Sequence, residues 1–157
     1  MTVACVARKH KPSKARPFVL EEFAPYRIVA LGHAISGRLA QAYRDENLTI
    51  PEWRVLAVIS QDKQVAARDV VSRTPMDKMT VSRAVASLEA KGFVERATSE
   101  ADRRVSMVSL SKQGRALFDR IAALAVEYED ELLFALDPDE RVALIDTLKK
   151  LENTAIE

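Results

Sequence analysis

The chain reads as a mainly helical protein with one small β-hairpin, and three observations carry that reading. Apolar residues recur at three- and four-residue steps over long stretches near both ends. Helix-start signals precede several of those stretches, notably Thr49-Ile50-Pro51-Glu52 and Asp137-Pro138-Asp139-Glu140. Between them lie two short β-prone runs, "FVERA" and "VSMVSL", separated by a polar turn. With 157 residues, the chain is long enough to bury one domain core and to carry helical extensions.

The elements follow in order. Residues 1–17 contain Pro12, Pro17 and a lysine-arginine cluster, and read as a flexible basic arm. From about Leu20 to Glu46, Ile28, Leu31, Ile35, Leu39 and Ala42 keep helical spacing. Gly32 and Gly37 inside this helix point to close packing or a bend. A second helix starts at Thr49, with Pro51 tolerated in the first turn and Glu52 favouring the N-terminal dipole. A short third helix is expected over 65–73. For the fourth, Thr74 and Asp77 are alternative caps, Val81, Ala84, Val85 and Leu88 form the apolar stripe, and Gly92 closes the helix. After the hairpin, Leu117, Ile121, Leu124, Tyr128 and Leu132 mark a long fifth helix. Leu144, Ile145, Leu148 and Leu151 mark a last one that starts at Asp137.

Composition excludes several classes. No apolar run approaches the roughly 20 residues of a membrane span, so no membrane partner is expected. The N-terminus has no secretory pattern, because its basic cluster follows the short "VACVA" run. A single cysteine, Cys5, allows no intrachain disulfide and fits a reducing cytoplasm. Cys5, His10 and His33 are too scattered for a metal set, and no cofactor is expected. No nucleophile–base set or phosphate-cradling glycine loop appears, so the chain is not read as an enzyme. The net charge of +1 conceals an asymmetry: residues 1–17 hold five basic side chains and no acid. Residues 68–104 hold eight basic and six acidic, net +2, and residues 105–157 hold six basic and eleven acidic, net −5. A polyanion would meet the tail and the middle of the chain.

A short helix, a tight turn, a second amphipathic helix and a hairpin make a winged helix-turn-helix plan. With its stripe turned to the core, the fourth helix points Met79, Arg83, Ala86 and Ala90 outward, flanked by Lys78, Thr80, Ser82 and Ser87. Small, hydroxyl and basic side chains suit entry into a major groove about 12 Å wide. If the two β-runs pair, Asp102, Arg103 and Arg104 stand at or just beyond the tip of the wing. There an arginine meets the narrow, negative minor groove, and an acid two residues before Arg104 can orient it.

"MDKMTVSRAVASLEAKGFVER" followed by "DRRVSMVSLSKQG" resembles the MarR family of bacterial transcription regulators. The wing pattern falls on Asp102, Arg104, Leu110, Ser111 and Gly114, and the resemblance covers roughly Phe18 to Leu151, including "PEWRVLAVI". It implies a homodimer whose outer helices knit two winged domains that bind a pseudo-palindromic operator in double-stranded DNA, usually as a repressor. Asp77, Lys78, Met79, Thr80, Ser82 and Arg83 are then expected near DNA, Arg103 or Arg104 in the minor groove, and Asp102 as orienting group. The resemblance places dimer contacts at Phe18, Leu20, Phe23 and Tyr26, and at Leu144, Leu148, Leu151 and Ile156. Periodicity supports this independently, because the outer helices carry more apolar stripe than a winged domain of ~75 residues buries alone.

The implied organisation is a basic arm at 1–17, an N-terminal dimerisation helix at 18–48, the winged lobe at 49–110 and C-terminal dimerisation helices at 111–157. Family members often bind small aromatic or lipophilic effectors between the dimer helices and the DNA-binding lobe. Arg27, His33, Ser36, Arg38 and Trp53 are the candidates for recognising an anionic aromatic there, each with a competing role in packing or at the surface. Residues 1–17 are not part of the common core, and read as a disordered leader or as a phosphate-contacting arm. Two alternatives to a ligand-released repressor are a winged-helix module that binds protein, and an oxidant sensor acting through Cys5, near Arg8 and Lys9. The first calls for an apolar or acidic outer face on the fourth helix, which Met79, Arg83, Ala86 and Lys78 do not offer.

Overall fold

The structure is a computed structural model that describes residues 17–98 and 106–156. The expected basic arm before Pro17, Cys5, and the wing-tip residues Asp102, Arg103 and Arg104 lie outside the described residues. The chain divides into two compact units, Met1–Ile35 and Ser36–Glu157, the division falling inside the first helix, α1 (Ala24–Ala42).

The first unit opens with a single 3-10 turn, Leu20–Glu22, closed by the Phe23 amide donating to the Leu20 carbonyl at 3.1 Å. Phe23 is extended, and its ring lies 5.3 Å from that of Phe18. The expectation of one helix from Leu20 to Glu46 is therefore corrected: a 3-10 turn, α1 and a second 3-10 turn, Arg44–Glu46, share that range. Extended Phe23 ends the first turn, and Pro25 suits the first turn of α1. At the far end Asn47 takes a left-handed conformation (φ 53°), which an asparagine tolerates better than most residues. Close packing or a bend is expected at the two helical glycines, and within the single chain neither one is closely approached. A Cβ at Gly32 or Gly37 would meet nothing within 4 Å among the described residues.

In the second unit α2 (Ile50–Ile59) begins with a full capping box. The Thr49 hydroxyl accepts from the Glu52 amide, and the Glu52 carboxylate accepts from the Thr49 amide. A correction follows at residues 65–73, expected to be one helix. Val65–Ala66 form a short strand, β1, and only Ala67–Ser72 are helical, as α3. Val65 pairs with Val108 and Ala66 with Met107, so a β-branched residue completes a sheet edge instead of starting a helix. The next helix, α4 (Lys78–Ala90), is capped by Asp77, whose carboxylate accepts from the Thr80 amide at 2.8 Å. Thr74, the other candidate, hydrogen-bonds back to the Val70 carbonyl at the end of α3.

Gly92, at φ +75°, turns the chain out of α4 into β2 (Val94–Thr98). That strand pairs antiparallel with β3 (Ser106–Leu110), from Val94 opposite Leu110 to Thr98 opposite Ser106, giving the sheet order β1-β3-β2. The long α5 (Lys112–Leu132) follows, capped by Ser111. The last helix, α6 (Pro138–Ile156), starts with the reciprocal Asp137–Glu140 box foreseen from the sequence.

The core gathers Val55, Leu56 and Ile59 of α2, Val70 of α3, and Val81, Val85 and Leu88 of α4. Val94 and Val108 of the sheet and Leu117 and Ile121 of α5 complete it, so the buried cluster extends beyond Leu110 into the first half of α5. Further along, Leu124 and Leu132 are exposed, and α6 contains no buried residue among those described.

Candidate nucleic-acid interface

α3, the turn at residues 73–77 and α4 form the helix-turn-helix, with β2 and β3 beside it. α4 buries Val81, Ala84, Val85 and Leu88, the stripe read from the sequence, and this fixes which side faces solvent. Met79 (61% exposed), Ser82, Arg83, Ala86 and Ala90 occupy the free side, with Lys78 exposed at its start. Among the described residues, Lys78, Ser82 and Arg83 make no side-chain hydrogen bond, so their donors are available to an incoming group.

Asp77 and Thr80 stand differently. The Thr80 hydroxyl donates to Asp77 Oδ2 at 3.0 Å, and its amide to Oδ1 at 2.8 Å. These bonds, with that of the Met79 amide and the nearby Arg83 charge, hold the Asp77 carboxyl below its usual range. Asp77 is thus engaged in capping, and the Thr80 hydroxyl has only its lone pairs free. Glu89 was not singled out in the sequence, although it lies exposed on this helix. Its carboxylate pairs with Arg96 of β2 at 2.8 Å, which couples the wing strand to α4 and offsets an acid close to the free face.

Two grooves flank α4. One, of about 340 Å³, is lined by Ala67, Val71, Val81 and Val85 together with Arg68, Lys78, Ser82 and Arg96. The other, of about 380 Å³, lies toward the start of α2 and is lined by residues including Thr80, Arg83, Ser87, Glu52 and Lys91. Glu52 is only 2% exposed. Burial pushes its carboxyl up, but hydrogen bonds from Lys91, Ser87 and Thr49 outweigh burial and hold it below the usual carboxylate range. The capping-box spacing revealed Glu52 as a cap. Its partner Lys91, 39 positions away, carried no sequence signal.

The candidate effector residues are not gathered into either groove. Arg27 and His33 are exposed in the first unit. In the second, Ser36 accepts from Arg54 at 3.3 Å, while Arg38 pairs with Glu131 and lies over the Tyr128 ring. Trp53 is half-buried, stacked on Phe118 with ring centroids 5.7 Å apart and beside buried Tyr43. Of the candidate dimer residues, Phe18, Leu20, Phe23 and Tyr26 are exposed in the first unit. Leu144, Leu148 and Leu151 are exposed on α6, and Ile156 is its last residue.

The model of the MarR family matches residues 46–105, which span α2 to the wing. The transcriptional regulator TtmR of Methylorubrum extorquens is 26% identical over 137 residues, covering 87% of this chain and 69% of that protein. The crystal structure of a MarR/EmrR family regulator from Acinetobacter sp. ADP1 superimposes with a TM-score of 0.80 at 27% identity, over 88% of this chain and 98% of that one. Bordetella bronchiseptica BpsR, whose DNA binding is regulated by 6-hydroxynicotinic acid, gives a TM-score of 0.79 at 26% identity, over 87% and 98%.

Proposed function

We infer that the chain is a member of the MarR family of DNA-binding transcription regulators, and from that premise we propose that it works as a homodimeric repressor released by a small aromatic or lipophilic molecule. The observation that carries the reading is the free side of α4. There Lys78, Ser82 and Arg83 offer unspent donors on a helix otherwise lined with alanine, and no unpaired acid stands among them. Arg83 and Lys78 reach phosphates or guanine edges, Ser82 a phosphate or base, and Met79 a thymine methyl. Asp77 acts as the cap that presents this turn. Arg103 or Arg104 enters the neighbouring minor groove, with Asp102 orienting the guanidinium.

The uncovered apolar side chains Phe18, Leu20, Phe23 and Tyr26, with Leu144, Leu148 and Leu151, supply the dimer contacts, joined by Ile156 at the end of α6. Two-fold symmetry then sets the α4 helices one DNA turn apart, roughly 34–36 Å. An effector that alters the spacing of the two lobes removes both helices from register together, so a small displacement has a large effect on binding. The regulation of BpsR by 6-hydroxynicotinic acid supports an anionic aromatic as the effector class. Arg27, His33, Ser36, Arg38 and Trp53 remain the candidates to meet it.

The test is a mobility-shift titration across a salt series with DNA from upstream of the protein's own gene. A saturable, competitor-resistant complex that weakens steeply with salt is expected. Equal affinity for every duplex, including fragments drawn from the whole genome, would replace the repressor with a protein-binding module.

A further inference from the structure

The hydrophobic contacts of Val81, Val85 and Leu88 hold α4 on the lobe, but such contacts are non-directional and do not by themselves fix the rotation or slide of a helix. A second set of contacts does. Glu52, at the start of α2, is almost fully buried and takes three donors: the Thr49 amide at 2.7 Å, the Thr49 hydroxyl at 2.9 Å and Lys91 Nζ at 2.7 Å, with Ser87 lining the same groove. Ser87 and Lys91 belong to the last turn and C-cap of α4. The same Lys91 ammonium donates to the Asn47 carbonyl at 2.7 Å, in the junction that leads into α2. That junction is fastened in turn to α5, since Arg120 pairs with Glu46 at 3.0 Å.

We propose that Glu52 and Lys91 are positioning residues for DNA reading, a charged peg and socket that sets the orientation of α4 and so the place of Arg83 in the groove. The inference rests on the DNA-binding reading above. Buried ion pairs contribute little net stability compared with apolar residues of the same volume, so stability alone is a weak reason for one here. Charge-assisted hydrogen bonds are short and directional, which suits a positioning task. Lys91 stands eight residues beyond Arg83, about 12 Å along the helix, so a tilt of about 5° at the anchor moves the Arg83 turn by about 1 Å. A hydrogen bond to a base edge does not survive that displacement, whereas a salt-screened attraction to phosphate hardly notices it.

The experiment uses the full-length dimer, a duplex selected by the wild-type protein from a random pool, and a scrambled duplex of equal length. Glu52→Gln, Lys91→Met and the double variant are compared at a temperature where circular dichroism shows each one folded. Glu52→Gln keeps an acceptor for the Thr49 amide, so it decides the question if Lys91→Met does not fold. The expected result is a loss of about tenfold or more in discrimination between the two duplexes, with scrambled-duplex affinity changed by less than about threefold. The double variant should lose no more than the worse single one, because both break one pair. Unchanged discrimination in folded variants overturns the proposal, as do additive losses, which would mean that Lys91 acts by its own charge on phosphate. A wild-type protein that selects no duplex would instead remove the DNA-binding reading itself.

Discussion

Replacing Gly114 with alanine tests how closely α5 is seated on the base of the wing. Gly114 is the third residue of α5, and its amide donates to the Ser111 hydroxyl oxygen at 2.9 Å. That hydroxyl donates to the Gly92 carbonyl at 2.7 Å, and the Ser111 amide to the Phe93 carbonyl at 3.1 Å. A Cβ on residue 114 would stand 1.8 Å from the Phe93 carbonyl oxygen, 2.8 Å from its carbon and 3.2 Å from its Cα. Ordinary contact begins near 3.4 Å, so backbone must withdraw by about 1.6 Å (3.4 less 1.8) with no flexible side chain to absorb the movement. Losing the three hydrogen bonds costs about 3 kcal/mol at roughly 1 each. Overpacking adds about 2 kcal/mol, and the better helix propensity of alanine returns about 1. The net is a destabilisation of about 4 kcal/mol, which for a chain of this size lowers Tm by roughly 10 °C. Thermal unfolding followed by circular dichroism, at matched protomer concentration, measures it. A fall of less than about 3 °C would refute the close seating.

Three further outcomes are expected. Arg83→Ala should weaken operator binding and lower the slope of log affinity against log salt by about one if the side chain meets a phosphate, or relax preference at one base position if it meets a base; an unchanged titration removes Arg83 from the interface. The Glu52 carboxyl is held low in the folded state, so it contributes stability that is present above its ordinary value of about 4.3 and lost as pH falls through the folded value. Urea unfolding of Glu52→Gln should therefore depend less on pH between about 5 and 3 than the wild type does, and parallel curves would contradict the shift. Leu148→Asp, at a position 38% exposed in the single chain, should give monomers in sedimentation and lower operator affinity on the order of a hundredfold, because the two half-sites are no longer bound together; a stable dimer of unchanged affinity would move the dimer contacts elsewhere.

The sequence was most legible where a local rule dictates local structure. Thr49 with Glu52 and Asp137 with Glu140 announce helix starts, because capping joins groups three residues apart, and both boxes are present. The α4 stripe assigned inner and outer sides, because one 3.6-residue period governs both. What stayed hidden depends on distant partners. β1 has two residues, too few to show a period, and becomes a strand only because Val108 lies opposite Val65. The Glu52–Lys91 pair and the Arg120–Glu46 pair join positions 39 and 74 apart, which no window along the chain relates. Gly114 was visible as part of a motif, but its reason, the Phe93 carbonyl, was not.

The electrostatics of α4 also depend on pairing rather than on composition. Residues 68–104 carry only two more basic than acidic side chains, eight against six, a weak attraction if all were equally free. They are not equally free. Asp77 is held by Thr80, and Glu89 is matched by Arg96, so the two acids nearest the free side of α4 are already engaged. On the basic side, Arg96 is used by Glu89 and Lys91 by Glu52, while Lys78 and Arg83 keep their donors. Glu89 and Glu52 are each matched by a cation, and Asp77 by the Thr80 amide and hydroxyl, so none of the three acids is left without a partner. Among the described residues of α4, Lys78 and Arg83 thus leave two cations with unspent donors on its free side, although the chain as a whole carries a net charge of only +1.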